Sequence, residues 1–319
     1  MIKRILKRMI KTAYDRPLPP PSSDEMRFLS EIKAVFRGFP EMDTTSVLPS
    51  EASWFRNMNR LRELVLKEDP REFLRWDVVS RTMFVAYARY ISTELRYLKR
   101  HKAWNTRWRN AINESTVGHP LPYVFYPASS GNLIHHTYSV AQFEDKTQCQ
   151  IHNMDFVLEF GGGYGSMCRL FHNLGFRGKY VIFDLPSFSA LQTYYLKTSG
   201  FQVLSLAEFK NSKTGIVCIS DNQDLRNIID QQIHATKKMF LATWSISESP
   251  MTTRAMILNL VSDFHSFLIA YQDRFGEVDN LRYFGELKEA VDNVAWHRWR
   301  IDHIPGNNYL VGAVSNKEQ

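Results

Sequence analysis

One stretch limits what this 319-residue chain can fold into: Asp155-Phe156-Val157-Leu158-Glu159-Phe160-Gly161-Gly162-Gly163-Tyr164-Gly165-Ser166. An apolar run that ends in an acid and breaks into glycines predicts a strand buried on both faces, turning tightly into a helix as a parallel sheet requires. Gly161, Gly163 and Gly165 can take positive φ and carry no Cβ, so a ligand can lie against bare main chain where a helix begins with unpaired N–H groups. That helix is expected over 166–174, with Gly175 closing it. A second apolar run, Tyr180-Val181-Ile182-Phe183, ends in Asp184. An acid roughly twenty residues past a glycine turn is where nucleotide-type folds set a carboxylate against ribose hydroxyls.

Residue types narrow the ligand. No Gly-Lys-Ser/Thr follows the glycines, which removes a phosphate-cradling loop, and the dinucleotide spacing G-x-G-x-x-G would need glycine where Ser166 stands. Glu159, two residues before Gly161, is a poor neighbour for a pyrophosphate and a good one for a cationic amine. S-adenosylmethionine carries such an amine, a ribose and no phosphate. The run from Glu159 to Gly165 resembles the first motif of class I S-adenosylmethionine-dependent methyltransferases, and Phe183-Asp184-Leu185-Pro186 resembles the second-strand motif of small-molecule O-methyltransferases. Tyr126-Pro-Ala-Ser-Ser-Gly-Asn132, Thr243-Trp-Ser-Ile-Ser-Glu248 and Ile304-Pro-Gly-Asn-Asn-Tyr309 are similar to segments of a sugar O-methyltransferase family. The resemblance covers the last two-thirds of the chain. It implies S-adenosylmethionine as cofactor, held by Glu159, Gly161, Gly162, Gly163, Tyr164, Gly165, Asp184 and Leu185, and a sugar or glycan hydroxyl as acceptor.

Composition sets the frame. Hydrophobic residues make up 44% and charged residues 23% of the chain, which is the balance of a soluble globular protein. Cys149, Cys168 and Cys218 are odd in number and lack C-x-x-C spacing, so neither a disulfide framework nor a zinc site is indicated, and a reducing cytoplasm is expected. The formal charge of +7 favours anionic surroundings. No nucleic-acid module signature is present, so a nucleic-acid partner is not expected. Residues 1–11 alternate apolar and basic pairs, the pattern of an amphipathic helix able to lie peripherally on an anionic membrane, and equally of a terminal helix docked on the protein or a partner.

The chain divides into a helical N-terminal region, residues 1–120, and a Rossmann-like domain, residues 121–319. A stiff Pro-rich linker at 17–23 leads into a helix start, and helices are expected over 25–39, 52–66 and 73–98. The aromatic stripe there, which includes Trp54, Phe55, Phe73, Trp76 and Phe84, suits a core or a face pairing subunits. In the second domain, strands are expected at 201–204, 239–244 and 267–271, with helices at 186–198, 221–238 and 252–264. Two final strand-like runs flank Pro305-Gly306-Asn307-Asn308, predicting a closing antiparallel hairpin. The fold class is therefore α/β, a Rossmann-like methyltransferase sheet with a terminal antiparallel hairpin, preceded by helices.

Methyl transfer to a hydroxyl needs a base for its proton. His136 and Glu248 are the catalytic candidates, with His135 behind them. Adjacent histidines point apart on a helix or a strand, so only one of the pair can readily face a site. His135, Trp244 and Asn308 are candidates for contact with the acceptor. No cluster of carboxylates, His or Cys at ligand spacing indicates a metal. Two other classes stay open at this point: a nicotinamide-dependent oxidoreductase on a similar sheet, and a cofactor-binding interaction protein without catalysis.

Overall fold

The computed structural model describes residues 14–15, 17–45, 49–86, 88–232, 235, 237–291 and 293–314. The amphipathic segment expected at 1–11 lies outside them.

A mostly parallel seven-stranded sheet forms the centre. Its strands are β1 (Phe156–Phe160), β2 (Lys179–Phe183), β3 (Gly215–Ile219), β4 (Lys238–Thr243), β5 (Ser266–Gln272), β6 (Val294–Arg300) and β7 (Asn307–Val314). They lie in the order β6-β7-β5-β4-β1-β2-β3. β1 to β5 are parallel, and β7 runs antiparallel to both β5 and β6. The expected Rossmann-like sheet with its antiparallel closing hairpin is thus present. All five residues of β1 are buried, as a central strand covered on both faces must be. After β3 the chain returns to the other side of β1 to form β4. Such a reversal opens a crevice at the carboxyl ends of β1 and β4, where open α/β sheets bind ligands.

Alternation along β1 decides which side chain faces which layer. Phe156, Leu158 and Phe160 belong to one apolar cluster, with β3, β4 and the helices at Asn222–Asp230 and Met251–Leu260. Val157 points the other way, into a larger cluster shared with the N-terminal helices, and by the period of two Glu159 follows it. That face is covered by α1 (Ser23–Gly38), α2 (Pro49–Lys67), α3 (Asp77–Thr82), α4 (Ile91–Arg100) and α5 (Gly131–Thr147). Ser22 and Glu25 form a capping box at the start of α1, a device that contributes about 1 kcal/mol. Phe36, Leu61, Phe73 and Leu98 from the helical region join Ile134, Phe171 and Ile182 in one continuous core, so apolar packing crosses the expected boundary near residue 120.

The helix expected over 221–238 ends at Asp230, with Lys238 already in β4, and two further expected elements differ in kind. The helix predicted over 73–98 is broken into a 3-10 turn (Pro70–Arg75), α3, an extended strap at 84–86 and α4. Tertiary contact overrides the helical pattern here: the Val85 N–H donates to Asn132 Oδ1 at 3.1 Å instead of to its own helix. α5 also starts unusually close to the strap, since a Cβ on Gly131 would lie 2.4 Å from the Ala86 carbonyl oxygen. Residues 201–204 make a single bridge, Val203 to Ile216, rather than a strand. The place beside β2 is taken by Gly215–Ile219, all five of whose residues pair with it.

Candidate active site at the carboxyl ends of β1 and β4

A cavity of about 630 Å³ opens at this crevice, within the range that holds small-molecule ligands. Its walls come from the turn after β1, the end of β2, the loop after β4, the start of α5 and the strap from the helical region.

Gly161 and Gly163 have φ of 69° and 58°, and Gly165, with φ 95°, precedes α6 (Ser166–Asn173). The reason for the first glycines differs from the expected one. A Cβ on Gly161 would sit 2.3 Å from that of Ser245, and one on Gly162 would lie 2.5 Å from Ile182 Cγ2. The close approach is made by the protein's own β2 and β4 segments, and the bare main chain of Gly161–Gly163 lines the cavity from behind that contact. Gly161 N–H donates to the Phe183 carbonyl at 2.9 Å and the Ser245 hydroxyl donates to the Phe160 carbonyl, which lock the turn between the neighbouring strands. Tyr164 turns its ring into the core, edge-on to Tyr195 at 5.0 Å, and Gly165 is set back from the cavity.

Two carboxylates flank this turn. Glu159 is almost fully buried and accepts from the Tyr180 hydroxyl at 2.9 Å. Burial pushes its carboxyl up to about 8, the Tyr180 hydrogen bond works against that rise, and the nearby charge of Asp184 adds to it. Asp184 accepts from the Leu185 N–H at 2.8 Å and from Gln192 Nε2 at 2.7 Å, while Gln192 also donates to the Gly163 carbonyl at 3.0 Å. Burial raises Asp184 to about 7, partly offset by hydrogen bonds from Leu185, Gln192, Gly163 and Gly162. A carboxylate oxygen that accepts one hydrogen bond keeps a lone pair for another, so Asp184 can still receive two hydroxyl donors. Leu185, beside it, supplies an apolar wall. An ammonium against Glu159, a ribose against Asp184 and a thin ligand body along Gly161–Gly163 match these donors and acceptors, so the residues fit S-adenosylmethionine.

The opposite wall carries the candidates for chemistry. His135 and His136 both line the cavity, but their surroundings differ. His136 Nδ1 is 2.7 Å from the Ser166 hydroxyl, and burial, then the neighbouring His135, lowers its ring to about 3. A group that stays neutral to such low pH is a weak proton acceptor near neutrality. His135 instead places Nδ1 2.8 Å from Glu94 Oε1, leaving Nε2 as the free nitrogen of a cavity-lining ring. Burial disfavours the Glu94 carboxylate, yet His135 and His303 outweigh it and hold the group below its ordinary value. Glu248 lies in the 3-10 turn Ile246–Glu248, lines the cavity and accepts from Gln272 Nε2 at 3.3 Å; burial raises its carboxyl.

Trp244 follows β4 with φ of 65°, a left-handed conformation that costs a non-glycine residue about 1–3 kcal/mol. Its N–H bonds the Ala270 carbonyl at 2.6 Å and its indole N–H bonds Asn307 Oδ1 at 2.6 Å, so both ends are held. The ring faces His135 at 5.0 Å between centroids. Asn308 does not reach the cavity; its amide donates to Asp273 at 2.7 Å, and Ile304 lines the cavity from that hairpin instead. Glu94, His303 and Gln192 carried no motif signal, and Tyr180 and Asn132 stand in motif segments that gave them no role, because each has a partner far away in sequence. Asn132 bonds Val85, Tyr164 and Ser166 together under the strap. Among the described residues no group of three or more His, Cys, Asp or Glu could hold a metal, and no helix is long and apolar enough to cross a membrane.

A Rossmann-like sheet closed by an antiparallel hairpin, with an acid-flanked glycine turn at its switch point, defines the class of architecture. No protein-family profile matches the chain, and no curated protein matches it. Solved structures of similar fold include a fibrillarin pre-rRNA processing protein of Methanococcus jannaschii, 12% identical over 52% of this chain and 69% of that one, with a TM-score of 0.35. An O-methyltransferase family protein from Burkholderia thailandensis is 11% identical over 82% of this chain and 73% of its own, TM-score 0.36. Magnesium protoporphyrin IX methyltransferase from Synechocystis PCC 6803, solved with bound SAM, is 14% identical over 70% and 97%, TM-score 0.35. These likenesses concern the fold alone.

Proposed function

We propose that this protein is an S-adenosylmethionine-dependent O-methyltransferase whose acceptor is a hydroxyl of a sugar or glycan-linked molecule. The observation that carries the reading is the pair of carboxylates, Glu159 and Asp184, flanking Gly161–Gly163 in one cavity wall. That wall gives a pyrophosphate two acidic groups in place of cationic ones. It suits a ribose and an ammonium, whose charge favours the ionised form of Glu159, and so favours a sulfonium nucleoside over a nicotinamide dinucleotide.

When bound, the cofactor supplies an electrophilic methyl group on sulfur. Glu159 would hold the amine and Asp184 and Leu185 the nucleoside, with the turn fixing its position, so that an acceptor hydroxyl bound in the same cavity would be held against the methyl group instead of meeting it by diffusion. His135 Nε2 takes the hydroxyl proton as the oxygen attacks, and Glu94 on Nδ1 fixes the tautomer and stabilises the imidazolium that forms. Of the three bases considered from the sequence, His135 thus displaces His136, whose ring is held by Ser166. Glu248 orients an acceptor hydroxyl or serves as the alternative base, and the Trp244 ring offers a flat face to a sugar. The cytoplasmic setting and a peripheral membrane contact through residues 1–11 belong to the same proposal.

Calorimetry with S-adenosylhomocysteine and with NAD tests the cofactor. Binding of the first and not the second is expected, and the reverse refutes the reading. Mass spectrometry of glycans incubated with the protein and S-adenosylmethionine tests the acceptor, with His135→Ala expected to abolish product while cofactor binding is kept.

A further inference from the structure

His135 does not have Glu94 to itself. His303, on the loop between β6 and β7, places Nε2 3.0 Å from the same oxygen, Glu94 Oε1. The Glu94 side chain is fully buried, so its one negative charge is screened by no water and must be met by its two neighbours. The two imidazoles differ in access: the His303 side chain is 16% exposed and that of His135 is 4% exposed. One ring therefore looks into the cavity and the other towards solvent, across a single carboxylate.

The geometry points to a shared proton: Glu94 supports one imidazolium at a time, so that His303 gives up a proton to water when His135 takes one from the cavity. A second imidazolium on the same buried carboxylate would add like-charge repulsion, which the solvent-exposed carboxylate of Asp302, next to His303 in the chain, offsets only weakly. The step balances. The acceptor's hydroxyl proton moves to His135 Nε2, a proton leaves His303 Nδ1 for solvent, and the cluster keeps its net charge throughout. After product leaves, His135 returns its proton through the open cavity and His303 regains one from water. His303 touches no reacting atom; it acts through Glu94 as a positioning residue.

No other group nearby competes for the proton. Tyr90, whose ring lies 5.4 Å from that of His135 and 6.0 Å from that of His303, is pushed up to about 12 by burial and then by Glu94. Tyr138, 5.3 Å from His303, is raised to about 12 by burial, then by Glu94 and Asp302. Tyr123 and Tyr309 are raised as well, both chiefly by burial, so all four phenols stay neutral across the range in which histidines titrate. His136, 6.4 Å from His135, stays neutral at the other end.

The catalytic meaning of the exchange rests on the methyl-transfer reading, but the test needs neither cofactor nor acceptor. Histidine-labelled full-length protein without ligand is titrated from pH 8.5 to pH 5 by ring nitrogen NMR, with His135→Asn and His303→Asn spectra assigning the signals. Together the two rings should take up one proton in this window. His303→Asn should let the His135 ring take up a full proton across the window, where in the native protein it takes up a fraction. Glu94→Gln should remove the step from both. Two complete and independent titrations in the native protein, or a His135 curve unmoved by His303→Asn, would overturn the proposal. His303 is half-buried on a loop, so its variant keeps the test decisive even where Glu94→Gln fails to fold. Failure to bind S-adenosylhomocysteine would instead sink the methyl-transfer reading and leave the shared proton standing.

Discussion

Cofactor binding should be linked to a proton at Glu159. In the free protein, burial holds this carboxyl at about 8, so most molecules carry it protonated at pH 7. An ammonium placed against it favours the ionised form, and binding then releases the proton. If only the ionised form binds well, the apparent dissociation constant scales as one plus ten raised to the difference between 8 and the pH. That gives roughly 20-fold tighter binding at pH 7.5 than at pH 6, one pH unit being a factor of about ten well below the midpoint. Asp184, at about 7, adds to the same trend if ribose hydroxyls donate to it, because the two carboxyls titrate as a coupled pair. The window stops below pH 8, since the ligand's own amine begins to lose its charge there. Isothermal calorimetry with S-adenosylhomocysteine, in buffers of differing ionisation enthalpy, counts the protons released, and close to one per site is expected near pH 7. Glu159→Gln should remove that release and weaken binding at pH 7.5 by about 1.5–3 kcal/mol, the range for a lost charged hydrogen bond. A flat affinity between pH 6 and pH 7.5 with no proton released, or a Gln variant that binds as the native protein does, would refute the reasoning.

The same two carboxyls set the stability of the free protein. Their folded values of about 8 and about 7 lie above the ordinary 4.5 and 3.8, so the stability they contribute is fully present below about pH 4 and is lost as pH rises through 7 to 8. Thermal unfolding should show Tm falling over that interval, with less of a fall in Glu159→Gln. Asp184→Ala should weaken S-adenosylhomocysteine binding by about 1–3 kcal/mol in a calorimetric titration; an unchanged affinity would reject its ribose role. Gly161→Ala places a Cβ 2.3 Å from that of Ser245 at a φ of 69°, and should cost at least about 2 kcal/mol in denaturant unfolding.

The sequence placed the glycine turn and the acid after β2, which line one cavity wall, and left the choice between two adjacent histidines to their surroundings. Both outcomes follow from how far each interaction reaches along the chain. The turn at Gly161–Gly165, the acid following β2, the caps at Ser22 and Gly175 and the closing hairpin are local: backbone sterics, strand periodicity and short spacings write them into neighbouring residues. His135 and His136 are equally good bases on paper, because a side chain's proton affinity depends on what surrounds it. Only the folded chain brings Glu94, 41 positions earlier, against His135, and Ser166, 30 positions later, against His136. The strap at 84–86 was hidden for the same reason, its helical pattern being overridden by Asn132, 47 positions on. What the sequence determined by itself was therefore the central strands β1 and β2, the closing hairpin and the acid-flanked glycine turn. Tertiary structure decided which groups meet across the crevice, since burial and the charge of distant neighbours are properties of the packed molecule and of no segment alone.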